Sequence, residues 1–197
     1  MNNKRIEILK KLKNQKIIGK IIDLEPCQEK HLDFIVNLRN KSNVKYFLSQ
    51  KSSITFGMQL RWYQDYSKRI NDLYYIIQDK KGKCLGTISL YNIDFELNTA
   101  EKGRKIVDEK YTLTKPIALE SDILIFELAF EKLELSSLFS IVKKDNIKVI
   151  NLNKRYGFYQ TGENIIRNDS YLIFQLNRND AYKQYSHIIE HWNKKHE

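Results

Sequence analysis

Apolar residues in this chain change their spacing several times, and each change marks an element. In residues 4–14, Ile6, Leu9 and Leu12 recur about three apart among lysines, the period of one helical face. Residues 17–24 are apolar and largely β-branched and predict a strand, which Pro26 ends. Residues 28–39 return to helical spacing, with Leu32, Ile35, Val36 and Leu38 on one face. A short helical piece follows near Val44–Leu48, and residues 57–70 form another amphipathic helix. The pattern then becomes strand-like. Residues 73–78 and 84–93 read as two strands joined by a turn at residues 79–83, where Gly82 can take a positive φ. Residues 99–107 read as a third strand, so the middle of the chain is an antiparallel meander.

Residues 116–132 carry the longest helical pattern, with Ile117, Leu124 and Leu128 on one side and Ile123 and Phe130 beside them. Pro116 suits the first turn, where its missing N–H costs nothing. Residues 137–142 predict a strand, residues 146–156 a short helix stopped by Gly157, and residues 158–161 and 170–176 two more strands. A last helix over residues 178–194 carries Tyr182, Tyr185, Ile188, Ile189 and Trp192. This order predicts an α/β (α+β) fold. Its core is one mixed, mostly antiparallel sheet of six to seven strands flanked by helices, with extra helices at both ends.

Composition narrows the function. A chain of 197 residues suits one domain, and 7 Gly and 2 Pro leave no long flexible linker. Cys27 and Cys84 stand in no CxxC pattern and are too few for a disulfide framework, which fits a cytoplasmic protein. No run approaches the roughly 18 apolar residues of a membrane span. The start of the chain lacks the apolar stretch of a signal peptide, so no membrane partner is expected. The net charge of +10 is scattered and forms no basic stripe with interleaved aromatics, so nucleic acid is not the expected partner either. His187 and His191 have metal-ligand spacing but lack a third ligand, and no metal is expected.

Four segments carry a resemblance. They are FIVNLRNKSNVKYFL (34–48), KGKCLGTISLYNID (81–94), AEKGRKIV (100–107) and FELAFEKLELSSLFSIVKKDNIKVINLNKRYGF (126–158). The last is the most specific: a helix ending in Leu, a strand, an Asn, a short helix and Gly-Phe. Together they resemble the GNAT acetyltransferase superfamily, in the branch of ribosomal-protein N-terminal and amino-sugar N-acetyltransferases. The resemblance covers roughly residues 20–165 and implies an acetyltransferase domain, bounded at 17–177. The helical extension over 1–16 and the C-terminal helix over 178–197, expected to pack on the domain, lie outside the resemblance and rest on their apolar spacing. The resemblance also implies acetyl-CoA as co-substrate. The pantetheine arm would pair with the backbone of Lys105, Ile106 and Val107. The pyrophosphate would sit at the start of the 116–132 helix, near Thr114, Lys115, Ile117 and Ala118. Asn146 and Asn153 would face the arm; Asn146 could also, or instead, cap the helix it precedes. Two positions depart from the family pattern. Only Ala118 fits the expected glycine-rich loop, and Asn153 stands where many members place the Tyr that protonates the leaving thiolate.

Transfer to an amine needs a base, a donor for the developing oxyanion, and positioning. Glu101 is the candidate base; as a plain strand carboxylate it would instead pair with a lysine. Arg39 and Asn40 match the substrate-side "RN" of the family, and Arg39 could grip a phosphate or carboxylate. As a helix end with an Asn cap, the same pair would be structural. Trp62 could line an acceptor pocket or pack in the core. The expected acceptor is a small-molecule primary amine, a nucleotide-linked amino sugar of glycan biosynthesis. A protein N-terminus is the rival within the class, and a catalytically weak ligand-binding module is the rival outside it. The sequence leaves a homodimer open.

Overall fold

The computed structural model describes residues 2–48, 50–112, 116–166 and 168–195. Helix α1 (Asn2–Leu12) leads into a short hairpin of β1 (Ile17–Ile18) and β2 (Ile22–Pro26). Three helices follow: α2 (Leu32–Arg39), α3 (Ser42–Phe47) and α4 (Phe56–Lys68). The meander is β3 (Leu73–Asp79), β4 (Cys84–Asp94) and β5 (Thr99–Val107). After it come the short α5 (Glu109–Thr112) and α6 (Ile117–Phe126), which continues as one π-helical stretch, Glu127–Lys132. The chain closes with β6 (Ser137–Lys143), α7 (Ile147–Arg155), β7 (Tyr159–Ile166), β8 (Asp169–Asn177) and α8 (Arg178–Lys195).

The strands form one sheet in the order β1-β2-β3-β4-β5-β6-β8-β7. It has eight strands where six to seven were expected, because Gly19 to Ile21 break the first predicted strand into a hairpin. Pro26 is the last residue of β2, opposite Tyr75, so the strand ends there as its sequence predicts. The strand predicted over 158–161 runs on to Ile166 at the sheet edge, with almost every side chain exposed. Without a buried face it shows no apolar alternation to read. All ladders are antiparallel except β5–β6, which is parallel and only three pairs long, Thr99–Glu101 against Ser137–Phe139.

Alternation along β3 separates two cores. Tyr75 and Ile77 join the larger one with α1 and α6, whereas Tyr74 and Ile76 join a smaller one with α2 and α4. Leu9 and Leu12 of α1 are buried in the larger core. Helix α6 is covered on all sides: every residue from Glu120 to Phe126 is buried. Its Glu120 carboxylate accepts backbone N–H groups from Lys20, Ile21 (3.0 Å) and Ile22 (2.9 Å). That carboxylate therefore locks the β1–β2 turn onto α6. At the far end of the domain, Gly157 takes φ +87 where α7 turns into β7, as its place in the sequence predicts.

Glu120→Ala should lower the unfolding free energy by about 3 kcal/mol, since it strands N–H groups that the protein covers. Urea unfolding checks this; a loss below about 1 kcal/mol would show that water satisfies the turn.

Candidate active site

Beyond Glu101 on β5 and Phe139 on β6 the two strands part. On its far side β6 continues to pair with β8 through Lys143, while β5 stays paired with β4 up to Val107. The facing edges, residues 102–107 and 140–143, thus carry backbone groups with no partner in the sheet. Between them lies a groove of about 350 Å³. Val44 and Phe47 of α3, Ala118 of α6, and Val149, Leu152 and Asn153 of α7 complete its walls.

A β-bulge shapes the β5 edge. Thr87 faces Ile106 and Ser89 faces Gly103, so Arg104 and Lys105 together oppose Ile88. Arg104 adopts φ 50 there. The extra residue resets the alternation, so Lys102 and Lys105, three apart, both reach Asp122 of α6 (2.9 and 2.5 Å). Arg104 turns to the opposite face.

On that face Arg104 donates to both carboxylate oxygens of Asp72 (2.8 and 3.0 Å) and lies 3.8 Å over the ring of Tyr91. The Tyr91 hydroxyl donates to Glu101, and Asn92 donates to the same carboxylate at 3.2 Å. Gly103 leaves room for this contact, because a Cβ there would stand 2.9 Å from the Tyr91 oxygen. Burial raises the Glu101 carboxyl above its usual range, against the two hydrogen bonds and Arg104, which pull it down. Trp62 stacks on Tyr66 (5.2 Å, 5°) and meets Tyr74 edge-on. Burial lowers the Arg39 guanidinium, Tyr74 draws it back up, and nearby Arg104 lowers it further; its Nε is buried without a hydrogen-bond partner.

The structure gathers Lys105, Ile106, Val107, Ala118, Asn146 and Asn153 around the groove. Asn146 also caps α7, its Oδ1 accepting from Val149 N–H at 3.3 Å. Asn153 is fully buried; its amide donates to Ser140 Oγ at 3.1 Å, while its Oδ1 has no hydrogen-bond partner. The Ile117 side chain packs in the larger core. Thr114 and Lys115 lie outside the described residues. Glu101, Arg39 and Trp62 sit beside Arg104 on the far face. Asn40 brackets Ile54, donating to its carbonyl and accepting its N–H, both at 2.8 Å. Among the described residues, no three His, Cys, Asp or Glu side chains cluster as metal ligands. Nor is any helix among them long and apolar enough to cross a membrane.

Sequence reasoning missed Asp72, Tyr91, Lys102 and Asp122. For the last two a signal existed. Asp122 interrupts the most apolar helix of the chain, and Lys102 sits mid-strand in the third segment of resemblance, AEKGRKIV (100–107). The other two depend on cross-strand contacts that no local pattern reports.

Residues 22–159 match the model of the acetyltransferase (GNAT) domain family. None of the curated proteins compared with the chain matches it. Among solved structures, the apo form of FdhC, a nucleotide-linked sugar GNAT, superposes with a TM-score of 0.74 at 25% identity, covering 88% of this chain and 97% of that one. Spermidine N-acetyltransferase from Vibrio cholerae, in complex with CoA and spermine, gives 0.74 at 18% identity over 83% and 99%. A GCN5-related N-acetyltransferase from Brucella melitensis gives 0.72 at 20% over 85% and 80%. With the family match spanning well over half of its length, the chain belongs to the GNAT family of acetyltransferases, enzymes that use acetyl-CoA.

Proposed function

We propose that the protein transfers the acetyl group of acetyl-CoA to the primary amine of a nucleotide-linked amino sugar. The groove supports the donor half. Two unpaired strand edges offer an extended amide chain the hydrogen bonds of an added strand. Asn153 presents a buried, unpartnered oxygen along the same path, which suits an amide N–H of the arm. Ala118 places the first turn of α6 at the groove, where free N–H groups and the helix dipole favour phosphate.

The observation that carries the acceptor half is the Arg39 guanidinium, whose buried Nε has no hydrogen-bond partner, near Arg104, Trp62 and Glu101. Arg104 is already paired with Asp72, so Arg39 is the cation that a phosphate would meet. A sugar diphosphate would meet a charge-assisted donor in Arg39 and an aromatic surface in Trp62. Glu101 acts as the base: it takes a proton from the attacking nitrogen, directly or through one water, and Tyr91 and Asn92 hold its carboxylate in place. The N–H groups of β5 at the bulge supply donors for the carbonyl oxygen of the thioester.

Val149→Trp should fill the groove and weaken acetyl-CoA binding by at least about tenfold without lowering the unfolding midpoint. Calorimetric titration checks this, and unchanged affinity would move the cofactor elsewhere. Glu101→Gln should slow turnover by at least about tenfold. Only the deprotonated base is active and its pKa is raised. The acid limb of kcat/KM should therefore lie above the ordinary carboxylate range and disappear in the variant. In a panel of UDP- and dTDP-amino sugars, free amino sugars, spermidine and short peptides, the nucleotide sugars should be acetylated fastest. Arg39→Met should raise KM for them by about tenfold and leave KM for free amino sugars unchanged. Preference for spermidine or peptides would overturn this acceptor.

A further inference from the structure

Lys102 is the least expected charge in the fold. It follows directly on the last β5–β6 pair, is 4% exposed, and lines the groove. An ammonium taken out of water costs several kcal/mol unless it is paired. Its partner is Asp122, itself fully buried, at 2.9 Å; Lys105 approaches the same carboxylate at 2.5 Å. The rings of Phe126, Tyr156 and Phe158 surround the ammonium with centroids at 5.4 to 5.5 Å. Two cations thus share one carboxylate, so one proton can leave and a neutral cluster remain. Burial lowers the Lys102 ammonium, Asp122 pulls it up and Lys105 lowers it again, leaving it at about 8. Burial would raise Asp122, but Lys102 and Lys105 hold it below its usual range. The charged or titratable neighbours are thus Asp122 from α6, Lys105 from β5 and the Tyr156 phenol from α7. Ser140 and Asn153 face the same end of the groove and are neutral.

We propose that Lys102 is the acid that protonates the departing thiolate of CoA at the narrow end of the groove. This rests on the acetyl transfer proposed above. The amine nitrogen bonds to the thioester carbon and its surplus proton passes to Glu101. The carbon–sulfur bond then breaks, its electron pair goes to sulfur, and sulfur takes a proton from Lys102 Nζ. Lys102 is left neutral beside Asp122 and regains a proton from water once CoA has gone, while Glu101 gives its proton to water. Asn153 cannot fill this role, since an amide does not give up a proton usefully. Lys102 stands one residue past the closing pair, where the end of an arm threaded along the groove would stop.

The test is the pH dependence of steady-state transfer, from acetyl-CoA to the best acceptor of the panel. For wild type, kcat should fall with rising pH through a limb near pH 8, because only protonated Lys102 is competent. Lys102→Met, which leaves Asp122 paired with Lys105, should lose that limb and at least about tenfold in kcat, with KM for acetyl-CoA within about twofold. Lys102→Arg keeps the charge and the ion pair but not an ionisable proton, so it should not restore the rate. A merely structural Lys102 would be rescued by arginine. Three results would overturn the proposal alone: a wild-type profile with no alkaline limb, a Lys102→Met profile that keeps it, or rescue by arginine. Wild type that transfers acetyl to no amine at all would overturn both this and the reading beneath it.

Discussion

The site depends on one geometric fact, the parting of two parallel strands after three residue pairs. A longer β5–β6 ladder would satisfy both edges internally and leave no groove. The parting is fixed on both sides. On β6, seven consecutive pairs with β8 hold the strand in place from Ser137 to Lys143. On β5, the bulge opposite Ile88 bends the strand and increases its local twist. Lys102 and Lys105 are then pinned from below by Asp122, and a strand carrying two buried ion pairs cannot slip in register without stranding a charge.

The same bulge divides the chemistry between the two faces of the sheet. One face carries Glu101, Tyr91, Arg104, Asp72 and the Trp62–Tyr66–Tyr74 aromatics. The other carries Lys102, Lys105 and Asp122 among Phe126, Tyr156 and Phe158. Burial acts on both faces but moves the two critical groups in opposite directions. It raises a carboxyl, Glu101, and lowers an ammonium, Lys102, because in each case it opposes charge. In the proposed mechanism the carboxylate base and the ammonium acid are thereby both brought nearer to neutrality.

The sequence made the meander legible because its strands have one face in each core and its turns carry the right residues, Gly82 at the β3–β4 turn among them. It made the groove legible through the β5 segment and the Asn146-to-Gly157 segment, which bring Lys105, Ile106, Val107, Asn146 and Asn153 to its walls. The hairpin at Gly19 was not legible, because what bends it is a carboxylate 100 residues away, Glu120. The outer half of β7 was hidden for lack of a buried face. Asn40 has the right place for an acceptor residue, but its amide is engaged on both sides by Ile54, a contact across a loop that spacing does not encode.

Helix α6 shows why the charges beside the groove are more than filler. Glu120 and Asp122 are two residues apart and so point to different sides of the helix, one to the N-terminal hairpin and one to β5. In an exposed helix such a pair would mark the wet face. Here both are buried, and Ser121 between them is buried as well. Glu120 has an evident structural task, since its carboxylate accepts three main-chain N–H groups of the hairpin. Asp122 binds no main-chain group: its partners are the side chains of Lys102 and Lys105, through which it holds β5 in register. Buried ion pairs exchanged for apolar groups of similar volume commonly leave a protein as stable or more stable. Stability therefore gives no reason for placing an ammonium, rather than an isoleucine or methionine, at position 102. The proposed acid role gives one, since Lys102 follows the last β5–β6 pair, at the end of the groove where the two strands first part.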